Sequence, residues 1–303
     1  MNLSSVSRLT LSTTVLLSLP PLLWAGNAIA GKMMNGLVPP MTLNFLRWLV
    51  AFAMLLPLAG WVLTSPAFWH NWRRYALLGL LGIGCYNALQ YLALKTSTPL
   101  NVTLVAASMP VFMLFTGGLF FGQRVSILQI CGAGLSVAGV LVVLARGEWS
   151  TLLKVQLVPG DLYIMLAALA WSFYSWQLSF STKDPVEIRG NWAAFLMAQI
   201  AVGLLWSGSF AAIEWLTTAA RIVWSWPVVA TLLYIAIGPA LIAYRCWGLG
   251  VQQAGPALAG VFSNLTPLFA ALLSAAFLGE LPHGYHAIAF VMLVGGIVLS
   301  SKK

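Results

Sequence analysis

The last third of the chain repeats an earlier stretch at a fixed offset, in a sequence whose residues are 60% apolar. With residues 86–142 set against 243–299, an offset of 157, Pro99 falls on Pro256, Pro110 on Pro267, Gly122 on Gly279 and Gly139 on Gly296. Gly118 meets Ala275, so the small pair Gly118 and Gly122 is echoed by Ala275 and Gly279. Further upstream the register is 147, where Trp24 meets Trp171 and Asn44 meets Asn191. A half-sized unit used twice in so apolar a chain predicts two related helix bundles around a site at the membrane midplane.

Only 7% of residues are charged, against about a quarter in an ordinary soluble domain. So few charges cannot cover the surface of a soluble fold of this length. Ten apolar segments stand between the loops, at roughly 12–33, 41–63, 73–94, 100–122, 127–145, 160–181, 190–211, 227–250, 256–278 and 285–301. Each is near the ~20 residues that cross a hydrocarbon core. Backbone groups in lipid must bond within their own segment or a closed barrel, and the period-2 alternation of a barrel is absent. The expected fold is therefore all-α and integral to the membrane: ten transmembrane helices as two inverted five-helix repeats, 1–149 and 150–303, around a central cavity. Inversion follows from parity, since an odd number of spans makes the second copy enter from the opposite side.

A formal charge of +9 would suggest nucleic acid in a soluble protein. Here Lys and Arg sit in short loops, where they act as a topology signal, and no nucleic-acid partner is expected. An even span count puts both termini on one side, with Arg8, Arg73, Arg74, Arg124, Lys183, Arg189, Lys302 and Lys303. The other side holds Lys32, Lys95, Arg146, Lys154 and Arg221, and this eight-to-five bias predicts cytoplasmic termini. Arg8, an apolar run and Ala28-Ile29-Ala30 imitate a cleavable signal peptide, but Pro20-Pro21 and the repeated Trp24 mark a first membrane helix. In the 212–226 connection, Trp215, Ala219, Ile222 and Trp226 recur at helical spacing and predict a short interfacial helix. Cys85, Cys131 and Cys246 lie in apolar segments without metal or disulfide spacing, so packing is their expected role and no metal is expected.

Enzyme motifs are missing. There is no G-x-x-x-x-G-K-[ST] loop, no HExxH and no GxSxG, and Gly82-x-Gly84 lacks the third glycine of a dinucleotide fingerprint, so no catalytic residue or cofactor is expected. The six carboxylates, Glu148, Asp161, Asp184, Glu187, Glu214 and Glu280, all map to loops or segment ends. Ion-coupled carriers keep a titratable group inside the membrane. The expectation is a carrier driven by its substrate's own gradient, with proton coupling through Asp161 or Glu280 as the competing reading. Arg47 and Arg245 are the charges inside spans. Arg47 lies about 9 Å into its segment at ~1.5 Å per residue, near enough to snorkel to the interface. Anchoring is preferred there over attraction of a substrate carboxylate.

The polar residues at mid-depth are neutral: Asn27, Asn44, Asn87, Gln90, Tyr91 and Ser108, then Tyr174, Ser175, Gln177, Tyr244, Ser263, Asn264 and Thr266. Such groups must face protein or a water-filled cavity, and bonds between helices account for part of them. Their pairing argues for more. Trp24-Ala25-Gly26-Asn27 answers Trp171-Ser172-Phe173-Tyr174, and Ala107-Ser108-Met109-Pro110 answers Asn264-Leu265-Thr266-Pro267. Rings and amides beside helix-breaking prolines suit a zwitterion with an apolar tail. The candidate substrate site is Trp24, Asn27, Gln90, Tyr91, Ser108, Trp171, Tyr174, Ser175, Tyr244, Ser263 and Asn264, with Pro110 and Pro267 as gating helix breaks. The competing reading is that the rings only pack between helices.

The runs Leu23-Trp24-Ala25-Gly26-Asn27, Ser108-Met109-Pro110-Val111-Phe112 and Leu265-Thr266-Pro267-Leu268-Phe269, with Leu278-Gly279-Glu280, resemble the EamA-type drug/metabolite transporters over essentially the whole chain. Within that group the sequence is similar to the YddG aromatic amino-acid exporters. The resemblance implies a basket of ten helices with the fourth and ninth lining the cavity. It also implies export of aromatic and related apolar amino acids across a bacterial inner membrane by alternating access. A monomer in lipid, with amino acids as its small-molecule partners, is expected. One departure matters: the counterpart of Gly279-Glu280 is Gly122-Gln123, so no symmetric carboxylate pair exists. On the same scaffold, a multidrug carrier would want an intramembrane Glu, and a nucleotide-sugar carrier several inward Lys or Arg. A membrane-embedded lipid-modifying enzyme would need His, Asp or Glu clustered at one interface, and a purely structural role leaves the paired polar groups unexplained.

Overall fold

A computed structural model describes residues 9–97, 99–145, 148–154, 156, 158–180, 184–278 and 283–302. Gly279, Glu280, Arg8, Arg146, Lys183 and Lys303 lie outside the described residues. All regular structure among the described residues is helical. Helix α1 covers Leu11–Met33, running through Pro20 and Pro21, and α2 covers Pro40–Ala59. Helix α3 is Trp72–Gly79, a π-helical turn over Leu80–Cys85, and Tyr86–Thr96. Helix α4 is broken into Pro99–Ala106 and Met109–Phe121. Next come α5 (Ile127–Ala145), α6 (Pro159–Ser179) and α7 (Trp192–Thr217). Helix α8 again carries a π-helical turn, over Ala236–Ile242, between Trp226–Ile235 and Ala243–Ala254. Helix α9 is broken into Pro256–Ser263 and Leu265–Leu278, and α10 is Gly284–Ser301.

Eight helical stretches are long and apolar enough to cross a membrane, counted over the described residues. Two of the ten expected spans are helical but fall outside that set. The second piece of α4 is apolar but short, and α6 carries Asp161, Ser172, Tyr174, Ser175 and Gln177, which lower its hydropathy. Those side chains are buried or half-buried, so the polarity of α6 faces protein rather than lipid.

The interfacial helix expected at 212–226 does not form. Instead α7 continues to Thr217, and residues 219–225 are non-helical, with the Val223 N–H donating to the Leu37 carbonyl at 2.8 Å. Glu214 explains the extension. Its carboxylate accepts from the Met41 and Thr42 N–H groups (3.2 and 2.9 Å) and the Thr42 hydroxyl (2.9 Å), while Trp215 Nε1 donates to Thr42 Oγ1 (2.9 Å). A helix N-terminus attracts an anion, so the start of α2 holds the end of α7 in helical register.

Helix α5 packs along α10, α2 along α7, α1 against α8 and α9, and α6 against α3 and α4. A close approach joins α5 to α10: a Cβ built on Gly132 would stand 2.7 Å from the Gly296 carbonyl, so only hydrogen fits there. Large apolar side chains such as Leu11, Val15, Phe115, Leu119, Leu205 and Val291 are exposed around the bundle, as lipid contact requires. Exposed Trp61, Trp69, Trp72, Trp149, Trp224 and Trp226 stand at or near segment ends, where amphipathic rings favour the headgroup level.

Candidate functional site

Both π-helical turns release backbone carbonyls, and aromatic and amide side chains take them up. The Tyr244 hydroxyl donates to Gly82 O, Asn44 Nδ2 to Ile83 O (3.1 Å), and Trp24 Nε1 to Pro239 O (3.3 Å). Gly82 also lets a ring come close: a Cβ there would lie 2.8 Å from Tyr174 Cε2. The result is an aromatic layer across the middle of the bundle. Trp171 is its hub, with ring centroids of Tyr86, Tyr174, Trp24, Tyr244 and Trp247 at 4.7, 5.0, 5.2, 5.3 and 5.5 Å.

On one side of this layer lies a cavity of about 590 Å³. Its walls combine the rings Trp24, Tyr86, Tyr91 and Trp171 with the amides Asn27, Asn87, Gln90 and Asn264. It extends to Asn35, Val38 and Pro40, at the end of the bundle where α1 joins α2. Of the residues expected from sequence, Trp24, Asn27, Gln90, Tyr91, Trp171, Ser263, Asn264 and Pro267 face this space. Contributions come from α1, α2, α3, α4, α6 and α9.

The remaining expected residues lie elsewhere. Ser108 spends its hydroxyl on the Val105 carbonyl at 2.5 Å, within the break of α4. Ser175 accepts from Trp247 Nε1 at 3.0 Å and serves packing. Tyr174 and Tyr244 line a second, smaller cavity of about 220 Å³, together with Arg189, Trp192, Gln199, Arg245 and Gln252. Pro110 is buried and opens the second piece of α4, while Pro267 is the third residue of its piece of α9. The breaks therefore precede the prolines, at Ala107-Ser108 and at Asn264. Proline is tolerated in a first helical turn, where its missing N–H costs no helical bond, so each proline sits just inside the new piece and the break falls before it. The two breaks touch, with Asn264 Nδ2 donating to the Ala107 carbonyl at 3.1 Å and to Ser136 Oγ at 2.9 Å.

Sequence reasoning misplaced Arg47. Its side chain does not snorkel; the residue is 1% exposed, and Nη1 donates to Asn87 Oδ1 (3.1 Å) and Asn27 Oδ1 (3.4 Å) behind the cavity wall. Depth along a helix does not reveal which way a side chain points, and α2 turns this face inward. Tyr86 was also missed, although it precedes Gln90 by one helical turn on the same wall.

The far end of the bundle is tied shut by charge. Arg74 at the start of α3 donates to both oxygens of Asp184, to Gln177 Oε1 (3.3 Å) and to the Gln177 and Phe180 carbonyls (3.1 and 3.2 Å). Arg189 reaches Asp184 at 3.4 Å, and Ser65 donates to Glu187 at 3.2 Å. Burial pulls the Arg189 guanidinium below the usual arginine range, an effect Asp184 opposes. Two other carboxylates are committed to backbone: Glu214 as described, and Asp161, which accepts from Ser97 and from the Val158 N–H at 2.9 Å.

Apolar spans around a ring-and-amide cavity define a multi-pass membrane protein of the transporter class. The EamA-like transporter family matches the chain twice, over residues 11–145 and 158–302. The chain belongs to that family. It is 27% identical over 293 residues to an uncharacterised transporter of Archaeoglobus fulgidus, covering 96% of this chain and 98% of that one. It is 28% identical over 287 residues to the aromatic amino acid exporter YddG of Ancylobacter novellus, covering 92% of this chain and 93% of the relative. A solved crystal structure aligns with a TM-score of 0.74 and 25% identity, over 95% of this chain and 96% of that chain.

Proposed function

We propose that the protein is a carrier that exports aromatic and other apolar amino acids across a bacterial inner membrane by alternating access. The observation that carries this reading is the 590 Å³ cavity, which pairs stacking surfaces with amides and has no carboxylate among its lining residues. Its size falls within the ~300–1,000 Å³ of ordinary small-molecule sites. Rings hold the side chain of the substrate, and amides and the exposed backbone of the breaks hold its zwitterionic end. With Asp161 and Glu214 engaged in capping backbone groups, the substrate's own gradient drives transport.

The architecture proposed for this carrier is ten helices in two inverted halves, 1–149 and 150–303. Four observations support it. The offset of 157 carries the π-helical turn at 80–85 onto 237–242 and the break at Ala107 onto Asn264. It also relates Asn264 to the carbonyl it bonds. The packing pairs exchange when each helix is replaced by the one five places on: α1 on α8 and α9 becomes α6 on α3 and α4, while α2–α7 and α5–α10 map onto themselves. The family match falls on each half separately. With both termini cytoplasmic, the large cavity faces outward and the Arg74–Asp184–Arg189 cluster closes the cytoplasmic side.

Uptake of labelled Phe, Trp, Tyr, Met and Thr into proteoliposomes tests the reading. Saturable transport with a preference for aromatic substrates is expected. Transport of none of the panel, in protein that is folded and correctly inserted, refutes it.

A further inference from the structure

We infer that the cavity recognises the carboxylate of its substrate through Asn27, an amide that the buried cation Arg47 orients and polarises, with Asn87 as the second amide that holds this cation. The inference deepens the exporter reading and rests on it.

Arg47 lies inside the bundle at 1% exposure, with its Cζ 5.2 Å from the Trp48 ring. Both ion pairs among the described residues use Asp184, at the far end, so no described carboxylate stands against Arg47. A guanidinium away from water and without a counter-ion is costly, and such groups in membrane proteins mark the path of a ligand. Arg47 spends Nη1 on two amide oxygens, and its Nε has no partner. Arginine can only donate, so each contact settles which end of the amide is which. Oδ1 faces Arg47, and the NH₂ group faces away from it.

Both asparagines line the large cavity. Asn27 makes no other hydrogen bond among the described residues. Asn87 Nδ2 has no surface open to the cavity and lies against the Tyr244 hydroxyl, so Asn87 holds Arg47 in place rather than reaching a ligand. An amide donor with a positive charge directly behind it forms a site for an acceptor-only anion. A carboxylate meets that description, whereas an ammonium group would face a donor and a cation together. Arg47 is thus a positioning residue: it does not reach the ligand but sets the direction and strength of the Asn27 amide that does. The occupant is the carboxylate common to every amino acid, which leaves the rings of Trp24, Tyr86 and Trp171 to select the side chain.

The test measures equilibrium binding to the purified, full-length protein by quenching of tryptophan fluorescence. The ligands are phenylalanine, phenethylamine, which lacks the carboxylate, and 3-phenylpropanoate, which lacks the amine. Wild type should bind phenethylamine roughly ten- to a hundredfold more weakly than phenylalanine, the loss of one charge-assisted contact. It should bind 3-phenylpropanoate with less loss. Arg47→Met should bring phenylalanine and phenethylamine within about threefold of each other, and Arg47→Lys should keep part of the gap. Asn87→Asp guards against misfolding of the Arg47 variants. It places a carboxylate 3.1 Å from Arg47, pairs the charge internally, and should abolish the preference while holding or raising thermal stability. A wild type that binds phenylalanine and phenethylamine equally overturns the inference and leaves the exporter reading standing. So does an Asn87→Asp variant that keeps the wild-type ratio. A wild type that binds none of the three ligands overturns the exporter reading itself.

Discussion

Trp171→Ala separates what a ring does for the fold from what it does for a ligand. Trp171 is 1% exposed and touches five other rings at 4.7–5.5 Å, so most of its surface is committed to packing. Truncating a buried tryptophan costs about 3–5 kcal/mol, and the melting temperature in detergent should fall by on the order of 10 °C. Only the part of the indole that reaches the cavity is available to a substrate. Losing that stacking partner costs about 0.5–1.5 kcal/mol, or roughly two- to tenfold in affinity for an aromatic substrate. The assay is competition by Phe against Thr in wild type, Trp171→Ala and Trp171→Phe, at matched folded protein. Thr uses no ring face, so the Phe-over-Thr preference should shrink in Trp171→Ala and largely survive in Trp171→Phe. An unchanged preference removes Trp171 from the substrate site. An unchanged melting temperature refutes its role as the hub of the layer.

The remaining predictions concern closure, packing, orientation and coupling. Asp184→Asn leaves Arg74 and Arg189 without their counter-charge, at a cost of about 3–5 kcal/mol for a buried pair. It should raise the labelling rate of a cysteine placed at Gln252 beside the smaller cavity, and an unchanged rate argues against closure by this cluster. Gly132→Ala forces α5 from α10 and should cost about 1–3 kcal/mol in thermal unfolding while leaving the Phe/Thr preference intact. Ser4→Cys and Lys302→Cys should both resist an impermeant thiol reagent in intact cells; labelling of either reverses the orientation. Transport should persist in liposomes without a pH or sodium gradient. Strict dependence on an imposed proton gradient, lost in Glu280→Gln or Asp161→Asn, would mean that protons are coupled.

The spans were legible because proline and glycine punctuate them at a constant offset, and Trp24 and Trp171 could be paired by register alone. The pocket was legible only in part. A side chain's depth can be counted along a helix, but its azimuth depends on neighbours, which is why Arg47 read as an anchor and proved to be buried behind Asn27 and Asn87. Ser108 and Ser175 read as free polar groups, yet one bonds the backbone of its own turn and the other a tryptophan. The π-helical turn in Leu80–Cys85 contains no proline to betray it and is matched by contacts from Tyr244 and Asn44, which are distant in sequence. The tryptophans near 212–226 share a helical period without sharing a helix, because Glu214 holds the end of one helix and residues 219–225 are non-helical.

The partners of α1 impose a schedule on the protein's biosynthesis. Trp24 bonds Pro239, Thr13 bonds Gln253, and the helix packs against α8 and α9. Some 220 residues separate Met33 from Ala254, and translation at ~5–20 residues per second needs roughly 10–45 s to supply them. Through that interval α1 holds only its contacts to earlier helices, such as Asn27 with Arg47 of α2 and Trp24 with Trp171 of α6. The surface of α1 that meets α8 and α9 is therefore the last part of it to be covered, and a ribosome stalled between α5 and α8 leaves that surface facing lipid.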